Sequence, residues 1–351
     1  MPDAPRVAAS ELKRFVTAVF AAAGMAEADA ATVAEVLVWA NLRGNDGHGV
    51  QRIPRYLEIM DEGGLNPRPR MAVRLETAAA LLIDADRAPG PVAMTFAADG
   101  AMGKAREAGI GLALVRRTTH TAAIGYYTRR VAEAGMAALM ASASIPNMPY
   151  HGTRAAVVAT NPLSLAVPGP AAPIVLDMAT SVASLGRLAA FRRAGRALPP
   201  GWALDDAGNP TTDAARAVLP LPLGGPKGAG LALIFEIIAS VMTGNPILAP
   251  AITEGGAAAL HRQNAFIIAI DIARFGDAAA FGAGVGRLVA ALKQQPRQSG
   301  FDEILMPGER GERAHAERLR DGIPLPAATW ADLGRVAARF GLALPLSAPP
   351  P

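Results

Sequence analysis

His48 stands between two glycines in the run Asn45-Asp46-Gly47-His48-Gly49-Val50-Gln51-Arg52-Ile53-Pro54-Arg55-Tyr56, with an arginine one helical turn further on. Imidazole titrates near neutral pH, and guanidinium grips a carboxylate through two parallel hydrogen bonds. A reaction that moves a proton on a small carboxylate needs both groups. If a helix starts near Val50, Asp46 or Gly47 is its N-cap and Pro54 falls in the first turn, where a missing N–H costs little. His48 then lies just before the free N–H groups, where the helix dipole favours an anion. A 2-oxo or 2-hydroxy acid would set its carboxylate at Arg52 and its carbonyl or hydroxyl oxygen at His48. A helix N-terminus capped by a polar histidine has the same spacing. The spacing alone does not separate the two.

The chain has five histidines in 351 residues. His120 follows an apolar run and precedes a small-residue segment with Gly125-Tyr126-Tyr127, and strand ends are where α/β folds meet ligands. His151, His261 and His315 read as surface or structural residues. No two histidines have metal-ligand spacing, and His-Glu-x-x-His does not occur, so no bound metal is expected.

These side chains need elements to hold them. Residues 10 to 23 and 27 to 43 read as amphipathic helices, with Ser10 as N-cap and Gly24 and Gly44 as stops. A third helix is expected over 50 to 62. From Met71 to Asp84 the pattern becomes two short strands, followed by a helix over 92 to 108. Strands are expected at Ile110 to Arg116, Ala137 to Ala143, Thr160 to Val167, Ile174 to Asp177 and Ala265 to Ile272. Helices are expected over 122 to 134, 228 to 243, 277 to 294, 311 to 320 and 329 to 340, and the stretch 196 to 226 as mostly loop. The chain therefore reads as α/β. A helical domain is built from both ends (1–75 and 295–351) and carries His48 and Arg52, around a central α/β unit (76–294).

Composition excludes several functions. Half the residues are hydrophobic (51%) and 18% are charged, which describes a folded globular chain. The net charge of +4 is spread without a basic tract, so nucleic acid is not an expected partner. Cysteine is absent, which removes disulfides and thiolate chemistry and fits a cytoplasmic protein. Charged residues precede any long apolar run, unlike a signal peptide. The most apolar stretch, Gly228 to Gly244, contains Glu236 and is too short to span a bilayer, so no membrane partner is expected. Gly-x-Gly-x-x-Gly and Gly-Lys-Ser/Thr are both missing, so a Rossmann site has no support.

Several segments taken together resemble one family. They are Leu42-Arg43-Gly44-Asn45-Asp46-Gly47-His48-Gly49-Val50, His120 with Gly125-Tyr126-Tyr127, Thr160-Asn161-Pro162-Leu163 and Leu176-Asp177-Met178-Ala179-Thr180-Ser181. Pro200-Gly201-Trp202-Ala203-Leu204-Asp205, Pro210-Thr211-Thr212-Asp213, Gly224-Gly225-Pro226-Lys227-Gly228 and Pro307-Gly308-Glu309-Arg310 complete the set. In order and spacing, from about residue 10 to 326, the chain resembles the malate/L-lactate dehydrogenase family of the non-Rossmann type. The resemblance implies NAD- or NADP-dependent hydride transfer on small 2-hydroxy or 2-oxo acids, or on the corresponding imino acids. It also implies a nucleotide-binding domain with a largely antiparallel central sheet, and a homodimer with the active site near the subunit interface. By position, His48 matches the family's proton donor and Arg52 its substrate-carboxylate ligand. His120 matches a histidine at cofactor and substrate that some members use as the acid/base. Ser144, Asp177, Met178, Ala179, Lys227, Gly308 and Glu309 match cofactor-binding positions, and Thr160 lines the same cleft on the substrate side.

The chain departs from the family pattern at Gly47, where serine is usual, so Asp46 or water would have to relay the proton. Pro226 replaces a common histidine, Arg187 a frequent lysine, and Thr121-Ala122 an aromatic-glycine pair. A cyclic-imine reductase and a non-catalytic nucleotide-binding relative are the alternatives. Arg192 and Arg193 are either contacts to a 2′-phosphate, favouring NADP, or residues of an exposed helix.

Overall fold

The computed structural model describes residues 5–255 and 262–348. His261 lies outside them. The helices are α1 (Ala9–Ala22), α2 (Glu27–Leu42), α3 (Ile53–Asp61), α4 (Gly90–Ala108), α5 (Gly125–Glu133) and α6 (Leu185–Arg193). After them come α7 (Pro226–Glu236), α8 (Leu248–Thr253), α9 (Ala278–Lys293), α10 (Glu309–Asp321) and α11 (Ala327–Phe340). The main sheet has seven strands: β1 (Ala72–Glu76), β2 (Ala80–Asp84), β3 (Ile110–Thr118), β4 (Met136–Ala143), β5 (Leu163–Val167), β6 (Ile174–Met178) and β7 (Gln263–Asp271). Their order is β1-β2-β3-β7-β4-β5-β6, and every pair is antiparallel except β2 with β3. The expected non-Rossmann, largely antiparallel sheet is what the chain forms.

Period-two alternation divides the central strands between two cores. Ala113, Val115, Ala265, Ile267 and Ala269 join α4 and the terminal helices in one continuous core. Leu112, Leu114, Phe266 and Ile268 face the other way, onto Phe235 and Ala239. The small residues of α4 let it lie close to β3: a methyl added at Gly111 would stand 2.0 Å from the Ala101 carbonyl oxygen.

Both chain ends build the helical layer. Arg6–Val7 pairs with Ile323–Pro324 on one side and Ser347–Ala348 on the other. Leu12, Phe15, Phe20, Val33, Leu37, Ile53, Leu333 and Val336 are buried in the same core as the sheet's α4 face.

Several boundaries differ from expectation, each for a local reason. Ala8, not Ser10, precedes α1, and no side chain caps that end. The ribbon at Arg6–Val7 and burial of Leu12 set the helix start, leaving Ser10 inside the first turn. Gly24 and Gly44 do end α1 and α2, at φ +98° and +77°. The third helix starts at Ile53 instead of Val50, after two tight 3₁₀ turns at Asp46–His48 and Val50–Arg52. The 122–134 helix starts only at Gly125, because Ala122 takes a left-handed conformation (φ 55°). Thr160-Asn161-Pro162 is a turn before β5, and α6 and α8 are helices the pattern did not indicate.

The long apolar helix runs as α from Pro226 to Glu236, then widens to a π turn over Ile237–Val241. Glu236 stands at the junction between the two. Its buried carboxylate accepts from Ser240 Oγ (2.8 Å) and from the backbone N–H groups of Ile247 (2.9 Å) and Leu248 (3.1 Å). Replacing it leaves buried donors unpaired at the start of α8. Glu236→Ala is therefore expected to cost about 3 kcal/mol in urea unfolding, and Glu236→Gln to recover part of it. A loss within the error of the measurement would contradict this.

Candidate active site

The two 3₁₀ turns place His48 and Arg52 through contacts with α2 and α10. Asn41 Oδ1 accepts from the Val50 N–H (2.9 Å), and Asn41 Nδ2 donates to Asp46 Oδ1 (2.7 Å). Arg318 on α10 donates to the Asn41 carbonyl (2.5 Å) and to both Asp46 oxygens (2.6 and 3.1 Å). Gly49 is required here, since a methyl would lie 2.1 Å from Asn41 Oδ1. Of the two relays expected in place of the missing serine, Asp46 or water, the Asp46 carboxylate is engaged by Arg318 and Asn41. Asn45 orients the imidazole instead: its Oδ1 lies 3.0 Å from His48 Nδ1 and can only accept. Nε2 of the neutral ring is then unprotonated. At Gly47 a side-chain carbon would meet nothing within 4 Å, so the missing serine leaves open space beside His48.

Arg52 turns its Nε back to the Gly47 carbonyl (2.6 Å). Its two terminal nitrogens have no protein acceptor among the described residues, which leaves the forked face that fits a carboxylate.

His120 follows β3 in a segment held from several sides. Gly90, the first residue of α4, abuts it so closely that a methyl there would stand 2.2 Å from the His120 carbonyl. Thr119 Oγ1 accepts from the Gly90 N–H (3.1 Å). Arg117 (φ 57°) and Ala122 (φ 55°) bracket the segment in left-handed backbone, which costs a non-glycine residue about 1–2 kcal/mol. Arg117 is anchored by its N–H on Asn264 Oδ1 (2.9 Å) and its carbonyl on the Arg87 N–H (2.7 Å).

Tyr56, one turn beyond Arg52, reaches this segment. Its hydroxyl lies 2.8 Å from His120 Nδ1 and 3.1 Å from the His120 carbonyl. Both contacts are satisfied at once when the phenol donates to the carbonyl and accepts from Nδ1–H. Nε2 of His120 is then also unprotonated. The His48 and His120 rings stack with centroids 5.7 Å apart and planes 15° from parallel. The two histidines that competed for one role in the sequence are neighbours.

Burial first, and the Arg52 charge second, push His48 down to about 4. The ring is enclosed by protein on most sides, although the residue as a whole is half-buried. His120 is driven well below the ordinary imidazole range by burial, then by Arg52 and His48. Burial also raises Tyr56, so the phenol stays neutral.

Ser144, Thr160 and the Asp177-Met178-Ala179 turn form a strip at the end of the sheet where β3 also ends, whereas Gly308 and Glu309 lie beside the start of β6. Register puts Asn264 opposite Ala143 and Leu163 opposite Met178. Ser144 donates its N–H to Asn161 Oδ1 (3.2 Å), and Thr160 accepts from the Thr180 N–H (3.4 Å). Asp177, Met178 and Ala179 close β6 into the turn that follows it. The turn of Gly308 and Glu309 lies beside β6, where Val175 N–H reaches the Pro307 carbonyl (3.1 Å). Arg43 braces that turn through the Gly308 carbonyl (3.0 Å) and Glu312 (2.5 Å). The Glu309 carboxylate is engaged by Lys293 and by the Met306 N–H.

Asp177 connects the strip to the histidines. Its Oδ2 accepts from the Gly125 N–H (3.0 Å) at the start of α5, and a methyl at Gly125 would crowd that oxygen at 2.8 Å. Asp177 is exposed as a residue, while its carboxyl group is surrounded by protein atoms. Burial raises it to about 6, against the opposing pull of Gly125 N–H and Arg43.

Lys227 is exposed in the first turn of α7, inside the helix and not ahead of it. The nearby N–H groups are taken: Lys227 reaches Gly224 (3.4 Å) and Gly228 reaches Leu223 (2.8 Å). Pro226 has none to offer. Any anion there would rely on the lysine side chain. His151 is exposed with its ring alongside Gly225, and His315 is half-buried on α10 facing the groove between α1 and α2. Arg192 is occupied by the carbonyls of Ala214 (2.9 Å) and Ala217 (2.6 Å), so it is not a free cation for a 2′-phosphate. Arg187 stacks over Trp202 at 5.2 Å.

Sequence reasoning missed Tyr56, Asn45, Asn41 and Arg318. Only Tyr56 carried a signal, the i, i+4 spacing from Arg52 that puts both on one helix face.

A pair of half-buried imidazoles beside an open guanidinium has the groups to move a proton on a small carboxylate. The comparisons agree in class. A sequence profile for malate/L-lactate dehydrogenase matches residues 7–334. The chain is 34% identical over 349 residues to the malate dehydrogenase of Pyrococcus horikoshii, covering 96% of both chains. It is 35% identical over 225 residues to the NAD(+) ureidoglycolate dehydrogenase of Escherichia coli K12, covering 64% of each. The solved sulfolactate dehydrogenase of Methanocaldococcus jannaschii superposes with a TM-score of 0.89 at 31% identity, over 97% of this chain and 98% of that one. The chain belongs to the malate/L-lactate dehydrogenase family, and it is an oxidoreductase.

The His48 shift has a consequence for stability. Its folded value of about 4 lies below the ordinary 6.5, so the unfolded chain takes up the proton first. The stability linked to this group is fully present above pH 6.5 and is lost as pH falls towards 4. His48→Gln is expected to flatten the decline in urea-unfolding stability between pH 7 and pH 5 relative to the parent. Equal slopes in the two proteins would contradict the assignment.

Proposed function

We propose that the chain is an NAD(P)-dependent dehydrogenase of small 2-hydroxy acids, with His48 and His120 handling the proton and Arg52 holding the carboxylate. The observation that carries this reading is the stacked imidazole pair, with both Nδ1 atoms engaged, beside the unpaired fork of Arg52. The names of the relatives support the substrate class, since they act on malate, sulfolactate or ureidoglycolate.

A nucleotide fits the strip of Ser144, Asp177, Met178 and Ala179, with Lys227 beside it near Thr180 and with Gly308 and Glu309 further along β6. The Thr180 hydroxyl in its middle is buried and has no hydrogen-bond partner, as expected where a bound polar group completes a site. Thr160, joined to this strip through the Thr180 N–H, is the residue we assign to the substrate side. When bound, the nicotinamide supplies hydride to the carbonyl carbon of a 2-oxo acid or accepts it from the hydroxy acid. Arg52 anchors the carboxylate and thereby fixes the reacting carbon. The substrate's negative charge also cancels the push of Arg52 on both rings, so an imidazole gains proton affinity when it is needed as donor. In oxidation the same nitrogen accepts.

Within this reading, residues 1–75 and 295–351 form the domain that carries His48 and Arg52, and 76–294 the cofactor domain. A homodimer is supported by apolar surface with nothing against it. Leu231, Ile234, Ile237, Val241 and Met242 make an exposed stripe at helical spacing, and α9 exposes Leu288 and Leu292.

A spectrophotometric assay tests the proposal. Reduced-nicotinamide absorbance should fall with NADH or NADPH in the presence of pyruvate, oxaloacetate, the oxo form of ureidoglycolate or piperideine-2-carboxylate. Arg52→Ala should raise KM for the accepted acid about 100-fold, with a smaller change in kcat. Turnover with none of these substrates would sink the reading.

A further inference from the structure

We infer that His48 and His120 work as one unit that holds a single proton between them, not as two independent acid/base groups. For its chemical purpose this rests on the dehydrogenase reading; the coupling itself rests on geometry.

The rings are stacked at 5.7 Å between centroids, and each is tied at Nδ1 to a neutral partner, Asn45 or Tyr56. Among the described residues, no carboxylate is hydrogen-bonded or ion-paired to either ring. Asp46, the nearest in sequence, is bound by Arg318 from α10 and by Asn41 from α2. From the 3₁₀ turn before α3 comes the Arg52 cation, from α3 the Tyr56 phenol, and from α5 the Tyr127 hydroxyl, which is held on the Thr121 carbonyl (2.9 Å). On the His120 segment itself, Arg117 is paired with Asp84 (3.2 Å). Two imidazolium ions in this setting would face each other and Arg52 with no counterion. Protonating either ring therefore opposes protonation of the other.

One proton is also what the chemistry requires. Reduction of a 2-oxo acid breaks the C=O π bond, forms a C–H bond with hydride from the nicotinamide, and forms an O–H bond with a proton from the pair. The pair is left neutral, and oxidation of the hydroxy acid returns the proton.

Imidazole Cε1 resonances followed against pH in the ligand-free protein test the coupling without any turnover. His120→Gln should raise the protonation midpoint of His48, and His48→Gln that of His120, each by about one to two pH units. Midpoints that stay put in both variants would overturn the proposal. If either variant fails to fold, calorimetry on the parent decides. Oxamate binding to the NADH- or NADPH-loaded protein, run in buffers of different ionisation enthalpy, should take up no more than one proton per site. Uptake of two protons would overturn the shared unit. Coupled midpoints in a protein that reduces no 2-oxo acid would keep the pair and discard the dehydrogenase reading.

Discussion

The hydroxyl of Tyr56 on His120 is the contact through which the two halves of the site are set against each other. The phenol comes from α3, in the helical layer built by both chain ends, and the imidazole from the end of a sheet strand. Tyr56 is also 2% exposed and packs in the core shared by both parts. A side chain that is at once a core residue and a hydrogen-bond partner cannot shift without disturbing both. Because His48 and Arg52 immediately precede the same helix, its seating fixes all four groups together.

The segment around His120 shows how this precision is sustained. All the described non-glycine residues in left-handed backbone flank it in space or sequence: Asp86, Arg87, Arg117 and Ala122. Such strain persists only where surrounding contacts over-determine the conformation. Here Asn264, Thr119, Gly90 and the Asp84 ion pairs provide them. Asn264 in turn belongs to a buried network with Ser240 and Asn245 that ends on Glu236 at the π turn. The polar core on the far face of the sheet thus supports the backbone that aims the histidine.

Much of the fold was legible in the chain. The long apolar strands, the alanine-rich α4, the helices at both ends and the absence of a glycine fingerprint all follow from periodicity and composition. What failed was local. Ser10 looked like a cap, but the ribbon at Arg6–Val7 and burial of Leu12 decided where α1 begins. Val50 looked like a helix start, but Asn41 from the preceding helix took its N–H and held the chain in 3₁₀ turns. Asp46 was one of two candidate relays, with water the other, and only the fold shows that an arginine far along the chain holds its carboxylate.

By itself, the sequence determined the chemical inventory of the site. His48, Arg52 and His120 are the groups a proton-coupled reaction on a carboxylate needs, and their order along the chain carries the family resemblance. Only the tertiary structure decided how they relate. It stacked the two histidines, gave each a neutral Nδ1 partner, turned Asp46 to Arg318, and left the Arg52 fork without an acceptor. The reason is physical. Residue type and local period set which groups exist and which face of an element they share. Distance, desolvation and the sharing of a proton depend on chain segments far apart in sequence, and those meet only when the core closes.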